Sequence, residues 1–463
     1  MNLNILIVVI ISTLSFSVFA VPVDWNGTLA IDSNIIKDVR RTGDSCTVSD
    51  GSQCINDEEN NARFQSMIIK LNPSFVINDG VTIKAELTAG SDNRGARLGE
   101  DTDQNTGNNA YYAQSTSSDV KMNQVYAEIY ADTALYRVGR FAKNFGLGAV
   151  VNDGNRVWDR MFSGYEGFEA QMKLGNFHLT PMWAKLSTNG NPNGKYDAYE
   201  TSVSAVYDNA NRNMKFGVYY SIKEVESDNS LYGGTASSQN VTLIDIYFAK
   251  TWNKFSFELE IPMISGDVGN VYGTGDASID SNAYILESKY DLNTKWAVGL
   301  NAGMIRGDDG ESNGFEGMYL HPNYKISEIM FKYNYHSFMS ASGDLYSSSM
   351  VNTTYAQLYA HYSTDAWTWK MSALWAKANA VATSGDTAYN HEKGKEFTAT
   401  EDQSDDMGYE FDIAFDYQWN PNVLFTGYLA HHMVGDYFGF SNESDELSLT
   451  NVTATGMRLS VNF

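Results

Sequence analysis

A period of two runs through most of this chain and limits what it can fold into. Val81, Ile83, Ala85 and Leu87 alternate with Thr82, Lys84, Glu86 and Thr88. Phe255, Phe257, Leu259 and Ile261 alternate with Ser256, Glu258 and Glu260. Phe411, Ile413, Phe415 and Tyr417 alternate with Glu410, Asp412, Ala414 and Asp416. The same pattern recurs over 124–130, 168–174 and 367–375. Successive side chains take opposite faces in a β-strand, so each segment has one apolar face and one charge-bearing face. No stretch after residue 20 approaches the 18 apolar residues of a spanning helix.

The connections between these segments alternate in length. Short turns are read at 77–80, 131–133, 175–176, 208–213, 251–253, 291–293 and 419–422. Long polar loops are read near 37–61, 91–119, 141–164, 188–197, 225–239, 265–281, 379–406 and 435–450. A soluble sandwich shares the alternation but not this asymmetry, which belongs to membrane barrels with short inner turns and long outer loops. Aromatic residues near strand ends suit the headgroup zone, among them Tyr219, Tyr220, Tyr247, Trp252, Trp296, Trp367, Trp419 and Tyr428. The expectation is an all-β chain: one transmembrane antiparallel barrel of about 18–20 strands. Closure should pair Val23–Ile35 with Thr453–Phe463, because an open edge in hydrocarbon leaves backbone groups unpaired. The strand count turns on 305–340, where Phe315–Leu320 reads as a strand or as loop, Ile326–His336 as the next strand, and Pro322 between them as a turn.

Residues 1–20 read as a signal peptide. ILIVVIIS at 5–12 has the length of an h-region, and Val18 and Ala20 suit the -3 and -1 positions of a cleavage site, although the n-region lacks Lys and Arg. Residues 21–463 are then the barrel in an exported, Gram-negative outer-membrane setting. Cys46 and Cys54 fit an exported loop disulfide.

Charge narrows the function classes. The chain has 56 Asp and Glu against 32 Lys and Arg, for a formal net charge of -24. Nucleic-acid binding needs a basic footprint, so that class is excluded. No HExxH, Gly-x-Ser-x-Gly elbow, P-loop or dinucleotide fingerprint occurs, and the chain is read as a non-enzyme without a cofactor. The acidic loops, densest at Glu401–Asp406, could hold Ca²⁺ through Asp402, Asp405 and Asp406, beside the plainer reading of solvated loops.

A barrel of this width leaves a lumen that wall side chains cannot fill. The stretch 141–164 is less polar than the other loops, and Phe145, Leu147, Val150, Val151 and Trp158 gain nothing from exposure. Folded against the inner wall it would be a constriction, with Lys143, Asp153, Arg156, Asp159 and Arg160, and Arg137 nearby, setting a transverse field. Alternation places Lys84, Glu86, Glu128, Glu169 and Lys173 on the lumen wall and Arg140 on the outer face.

The end of the chain, Met457, Leu459, Val461 and Phe463 alternating with Gly456, Arg458, Ser460 and Asn462, resembles the carboxy-terminal signature of bacterial outer-membrane barrels. That resemblance implies Phe463 as a signal for the barrel-assembly machinery. Tyr136–Arg140 with Gly146–Leu147–Gly148 resembles a stretch in porin-like and alginate-export-like barrels, where a Gly-Arg at a strand end leads into a loop in or near the pore. It implies Arg140 as the start of a pore-loop unit. The function expected is passive diffusion of small hydrophilic solutes with a preference for cations, in contact with outer-membrane lipid and lipopolysaccharide, with a homotrimer as one open oligomeric state. The rival is a structural or adhesive surface protein with a largely blocked pore.

Overall fold

The structure, a computed structural model, describes residues 23–41, 60–89, 96–97, 120–187, 197–225, 238–270, 276–310, 314–335, 345–390, 395–440 and 448–463. Among the described residues eighteen antiparallel strands close into one barrel. They are β1 (Val23–Lys37), β2 (Asn61–Asn78), β3 (Val81–Ala89), β4 (Val120–Tyr130), β5 (Ala134–Ala142) and β6 (Gly164–Leu174). Next come β7 (Phe177–Ser187), β8 (Ala198–Asn209), β9 (Met214–Val225), β10 (Gln239–Trp252), β11 (Phe255–Asn270) and β12 (Asp276–Asp291). The circuit ends with β13 (Trp296–Ile305), β14 (Thr353–Ser363), β15 (Trp367–Ala378), β16 (Asp406–Asn420), β17 (Val423–Val434) and β18 (Val452–Asn462). Ala96–Arg97 adds a short bridge to β2, and Thr387–Asn390 pairs with Lys395–Thr398 in a loop hairpin.

Each strand pairs with its sequence neighbours, and β1 pairs with β18 from Thr28↔Asn462 to Lys37↔Thr453. Gly27 and Phe463 exchange backbone bonds of 2.8 and 3.0 Å where the two chain ends meet. No sheet edge is left along the seam, as a hydrocarbon surround demands.

Three features of the chain path differ from the expectation. Phe315–Leu320 and Ile326–His336 supply no barrel strand: the described parts of 306–352 form a long connection between β13 and β14. Its apolar residues are buried without a regular alternation, since Met318, Leu320, Ile329, Met330, Phe331 and Tyr333 lie within irregular chain. The 265–281 loop is also shorter, because β11 runs on to Asn270 and β12 starts at Asp276. A turn at 364–366 joins β14 to β15 and stands outside the expected series.

The outward faces carry the apolar belt. Trp252, Trp296, Trp367 and Trp419 are exposed at the short-turn end and pack against the rings of Phe257, Tyr362, Tyr417 and Phe425. Tyr219, Tyr247 and Tyr428, expected in the same girdle, are instead buried on the inner face. Their hydroxyls bond Glu200, Glu258 and Asn34, which explains why a polar-tipped ring is used there.

Apolar packing is found inside the barrel. Ile285, Ile305, Tyr355 and Leu374 of the wall pack with Met318, Leu320, Tyr324 and Met350 of the 306–352 segment. Phe145 and Val151 of the 143–163 segment pack on Tyr219, Leu243 and Tyr247 of β9 and β10. We expect Leu459→Pro, opposite Ile31 in the closing seam, to reduce the yield of folded, heat-modifiable barrel by roughly tenfold, since an interior proline removes a ladder hydrogen bond. Proline at the exposed turn residue Asn176 should have a much smaller effect, and equal yields would show that the seam does not limit folding.

Candidate channel constriction

Two segments meet within the lumen and leave between them a polar cavity of about 520 Å³, the eyelet. One side is formed by Arg156, Trp158, Asp159 and Arg160; another by Pro322–Glu328, Lys332, Tyr333 and Tyr346. The barrel wall closes it through residues that include Asp32, Glu287, Gln357, His361, Lys370, Asp412 and Arg458. The lining charges are six Lys and Arg (156, 160, 325, 332, 370 and 458) and five Asp and Glu (32, 159, 287, 328 and 412).

The 143–163 segment is held to the lumenal face by its own backbone. Lys70 of β2 donates to the carbonyls of Gly154 and Arg156 at 3.1 and 3.0 Å. Glu260 of β11 accepts from the backbone N–H of Leu147, and from that of Ala149 at 3.3 Å. Gly146 and Gly148 have φ of 58° and 77°, and a Cβ on Gly146 would stand 2.3 Å from a Glu260 carboxylate oxygen. The Gly-Leu-Gly run is therefore a tight backbone wrap around a wall carboxylate. Asn323 joins the two segments by donating to Asn152 at 3.1 Å and to the Met161 carbonyl at 2.7 Å.

Arg156, Asp159 and Arg160 line the eyelet. Arg160 donates to Ser66 at 2.5 Å and lies 3.9 Å over the Tyr346 ring. Asp159 is buried and accepts from the Arg156 backbone N–H at 3.1 Å. The Arg156 side chain is exposed, and its guanidinium has no hydrogen bond or ion pair to the described residues. Asp153 accepts from Asn155 through backbone and side chain at 3.1 and 2.5 Å, within its own turn.

Five of the remaining residues expected at the pore form a separate chain of ion pairs on the β3–β6 wall. Lys84 meets Glu128 at 2.9 Å, Arg137 bridges Glu128 and Glu169 at 3.3 and 3.7 Å, and Lys143 meets Glu169 at 3.2 Å. Burial pulls the Lys143 ammonium below its ordinary range, with Glu169 opposing. Glu86 accepts from Asn123 and Gln124 on the same wall, at 3.0 and 3.2 Å. Lys173 is exposed near the 175–176 turn, away from the eyelet. Arg140, which the resemblance links to the pore loop, is exposed and bonds Glu166 at 2.7 Å.

Asp402, Asp405 and Asp406 are turned to different partners: the Ser384 N–H, Lys377 and the Gly408 N–H. Among the described residues no three His, Cys, Asp or Glu side chains converge as a metal site. Cys46 and Cys54, and residues 1–20, lie outside the described residues. Phe463 is exposed at the end of the closing seam.

Half of the eyelet was missed from the sequence. Glu328 of the 306–352 segment accepts from Lys332 and faces Arg458 of β18 at 3.3 Å. Burial pushes its carboxyl up, but Lys332 and Arg458 outweigh it and bring it down to about 2. Tyr324 donates to Glu287 at 2.9 Å. Lys325 donates to the carbonyls of Phe331 and Ser348; burial, with Lys332 adding to it, brings its ammonium down to about 7. The test that marked 141–164, large apolar residues in a loop, would also have marked 315–335. The inward direction of Arg458 was legible in the alternation of the last strand.

No known protein family pattern matches the sequence, and no curated protein matches it. Solved structures do match in fold. OccK2 (OpdF) of Pseudomonas aeruginosa in complex with glucuronate aligns with a TM-score of 0.54 at 10% identity, over 95% of this chain and 98% of that one. OpdK of the same organism with vanillate aligns at 0.53 and 12% identity, over 95% and 98%. OccK9 (OpdG), also from Pseudomonas aeruginosa, aligns at 0.55 and 10% identity with the same coverage. OpdK is described as an outer membrane protein. This chain shares the fold of these structures, the outer membrane protein OpdK among them: all-β, antiparallel and closed, among the described residues, by eighteen strands.

Proposed function

We propose that the chain is an outer-membrane channel for passive diffusion of small hydrophilic solutes, with selection in the eyelet. The observation that carries this reading is a polar cavity of about 520 Å³ at the meeting of two inward segments in a closed barrel. Its donors and acceptors can replace part of a solute's hydration during passage, and no bond-breaking chemistry is required. The structures of similar fold that hold glucuronate and vanillate add support for a small solute bearing a carboxylate.

The eyelet charges favour the same class. Its acids already have partners: Glu328 has Lys332 and Arg458, Glu287 has Tyr324, Asp32 has Ser66, Asp412 has Ser372, and Asp159 has the Arg156 N–H. The Arg156 guanidinium acts on Glu287 through space, makes no hydrogen bond or ion pair among the described residues, and is open to the cavity. The acidic loops act differently. Their field enriches cations at the mouth but is screened beyond about 10 Å at 0.1 M salt, whereas a narrow, low-dielectric bore holds its field. A cation preference therefore belongs to low salt and gives way to the eyelet as salt rises.

Single-channel reversal potentials in a planar bilayer under a KCl gradient test this reading. Arg156→Ala should raise the cation-to-anion permeability ratio roughly threefold at high salt; an unchanged ratio would remove Arg156 from the filter. Folded wild-type protein without any steps would instead favour a surface-structural role. The Lys325 ammonium, brought down to about 7, is charged below that pH and neutral above it. Anion permeability should thus fall as pH rises through about 7, and Lys325→Met should flatten the change. A wild-type ratio that is level with pH would exclude Lys325 as a contributor.

A further inference from the structure

The same device recurs at two places on the inner wall. Glu260 of β11 is fully buried and accepts from the backbone N–H groups of Leu147 and Ala149. Glu410 of β16 is also fully buried. It accepts from the backbone N–H groups of Glu328, Ile329 and Met330 at 2.9, 2.7 and 2.7 Å. Each carboxylate sits in a cup of nearby loop amides, two for Glu260 and three successive ones for Glu410, and each cup belongs to one of the two segments that make the eyelet. In both cases the wall supplies the acceptor and the irregular loop supplies the donors.

The geometry of both loops depends on these contacts. An irregular segment inside a barrel has no sheet ladder to satisfy its N–H groups, and a buried donor without an acceptor is costly. A carboxylate takes several donors at once and binds them more strongly than a neutral acceptor does. The wrap at Gly146–Gly148 closes so tightly that a side chain on Gly146 would collide with Glu260. The Glu410 cup starts at Glu328, whose own side chain meets Lys332 and Arg458 in the eyelet. A shift of either cup therefore moves a charged group of the filter: Arg156 by way of Glu260, and the Glu328 cluster by way of Glu410.

We propose that Glu260 and Glu410 are the positioning residues that set the bore, each fastening one eyelet loop to the wall. Neither side chain lines the cavity. They act through the loops and not by touching the solute. The proposal rests on the channel reading above and goes beyond it by naming what holds the filter in place.

The test uses the full chain folded in planar bilayers, with heat-modifiability as the check of folding. Glu260→Ala and Glu410→Ala should each raise single-channel conductance by roughly twofold or more and add open-channel noise, because an unfastened loop no longer narrows the bore. Combination with Arg156→Ala separates positioning from general loosening. The selectivity change caused by Arg156→Ala should disappear in the Glu260→Ala background and persist in the Glu410→Ala background. Gly146→Val leaves the wall untouched and should reproduce the Glu260→Ala phenotype from the loop side. Should an alanine variant fail to fold, Glu260→Gln and Glu410→Gln decide in its place, since each keeps the shape and loses the charge. Wild-type steps with unaltered conductance, noise and Arg156 coupling in the folded variants would overturn this proposal and leave the channel reading standing. A folded wild type without steps would overturn the channel reading first.

Discussion

The architecture depends on the satisfaction of backbone hydrogen bonds where no water is available. In hydrocarbon a strand cannot leave its N–H and C=O groups open, so the sheet must return to its first strand. The ladder between β1 and β18 meets that demand. Closure at eighteen strands then creates a second demand, because the enclosed space is wider than wall side chains can fill. Two long segments turn inward and take up part of it. The inward-facing Ile285, Ile305 and Leu374 are apolar for this reason: they receive Met318, Leu320 and Met350 from the 306–352 segment.

The interior consequently has two kinds of polar chemistry. On the β3–β6 wall, Lys84, Glu128, Arg137, Glu169 and Lys143 neutralise one another in a continuous series. Around the eyelet, charge is distributed between loops and wall, and the Arg156 side chain remains open to the cavity. Buried carboxylates such as Glu260 and Glu410 join the two regions by accepting backbone donors that no ladder could serve. Such acceptors offset the desolvation of irregular chain, which helps these two acids to tolerate full burial in the wall.

Low identity with structures of the same fold follows from the same physics. A barrel strand needs an apolar outer residue at every second position and a register set by its neighbours, and many sequences meet those conditions. About one residue in ten coincides with OccK2 over nearly the whole length of both chains. Pattern therefore carries the fold, while the identity of inward residues is free to differ from barrel to barrel.

Alternation, turn spacing and the final strand made the membrane barrel, its closing seam and the lumenal face readable from residue order. Those features are local: strand periodicity and turn chemistry depend on residues a few positions apart. The apolar character of Phe145, Val150 and Val151 also marked one loop as unsuited to solvent. Ile326–His336, and Phe315–Leu320 in one of its two readings, read as strands because apolar residues at near-regular spacing look alike whether they meet lipid or the inside of a barrel. The girdle tyrosines were misread for a related reason, since Tyr219, Tyr247 and Tyr428 suit either a headgroup or a buried acceptor. Which loop amides reach Glu260 and Glu410, and the placing of Glu328 beside Arg458, depend on pairs separated by 80 residues or more. Only closure of the barrel brings such pairs within hydrogen-bonding distance, and no local pattern encodes that distance.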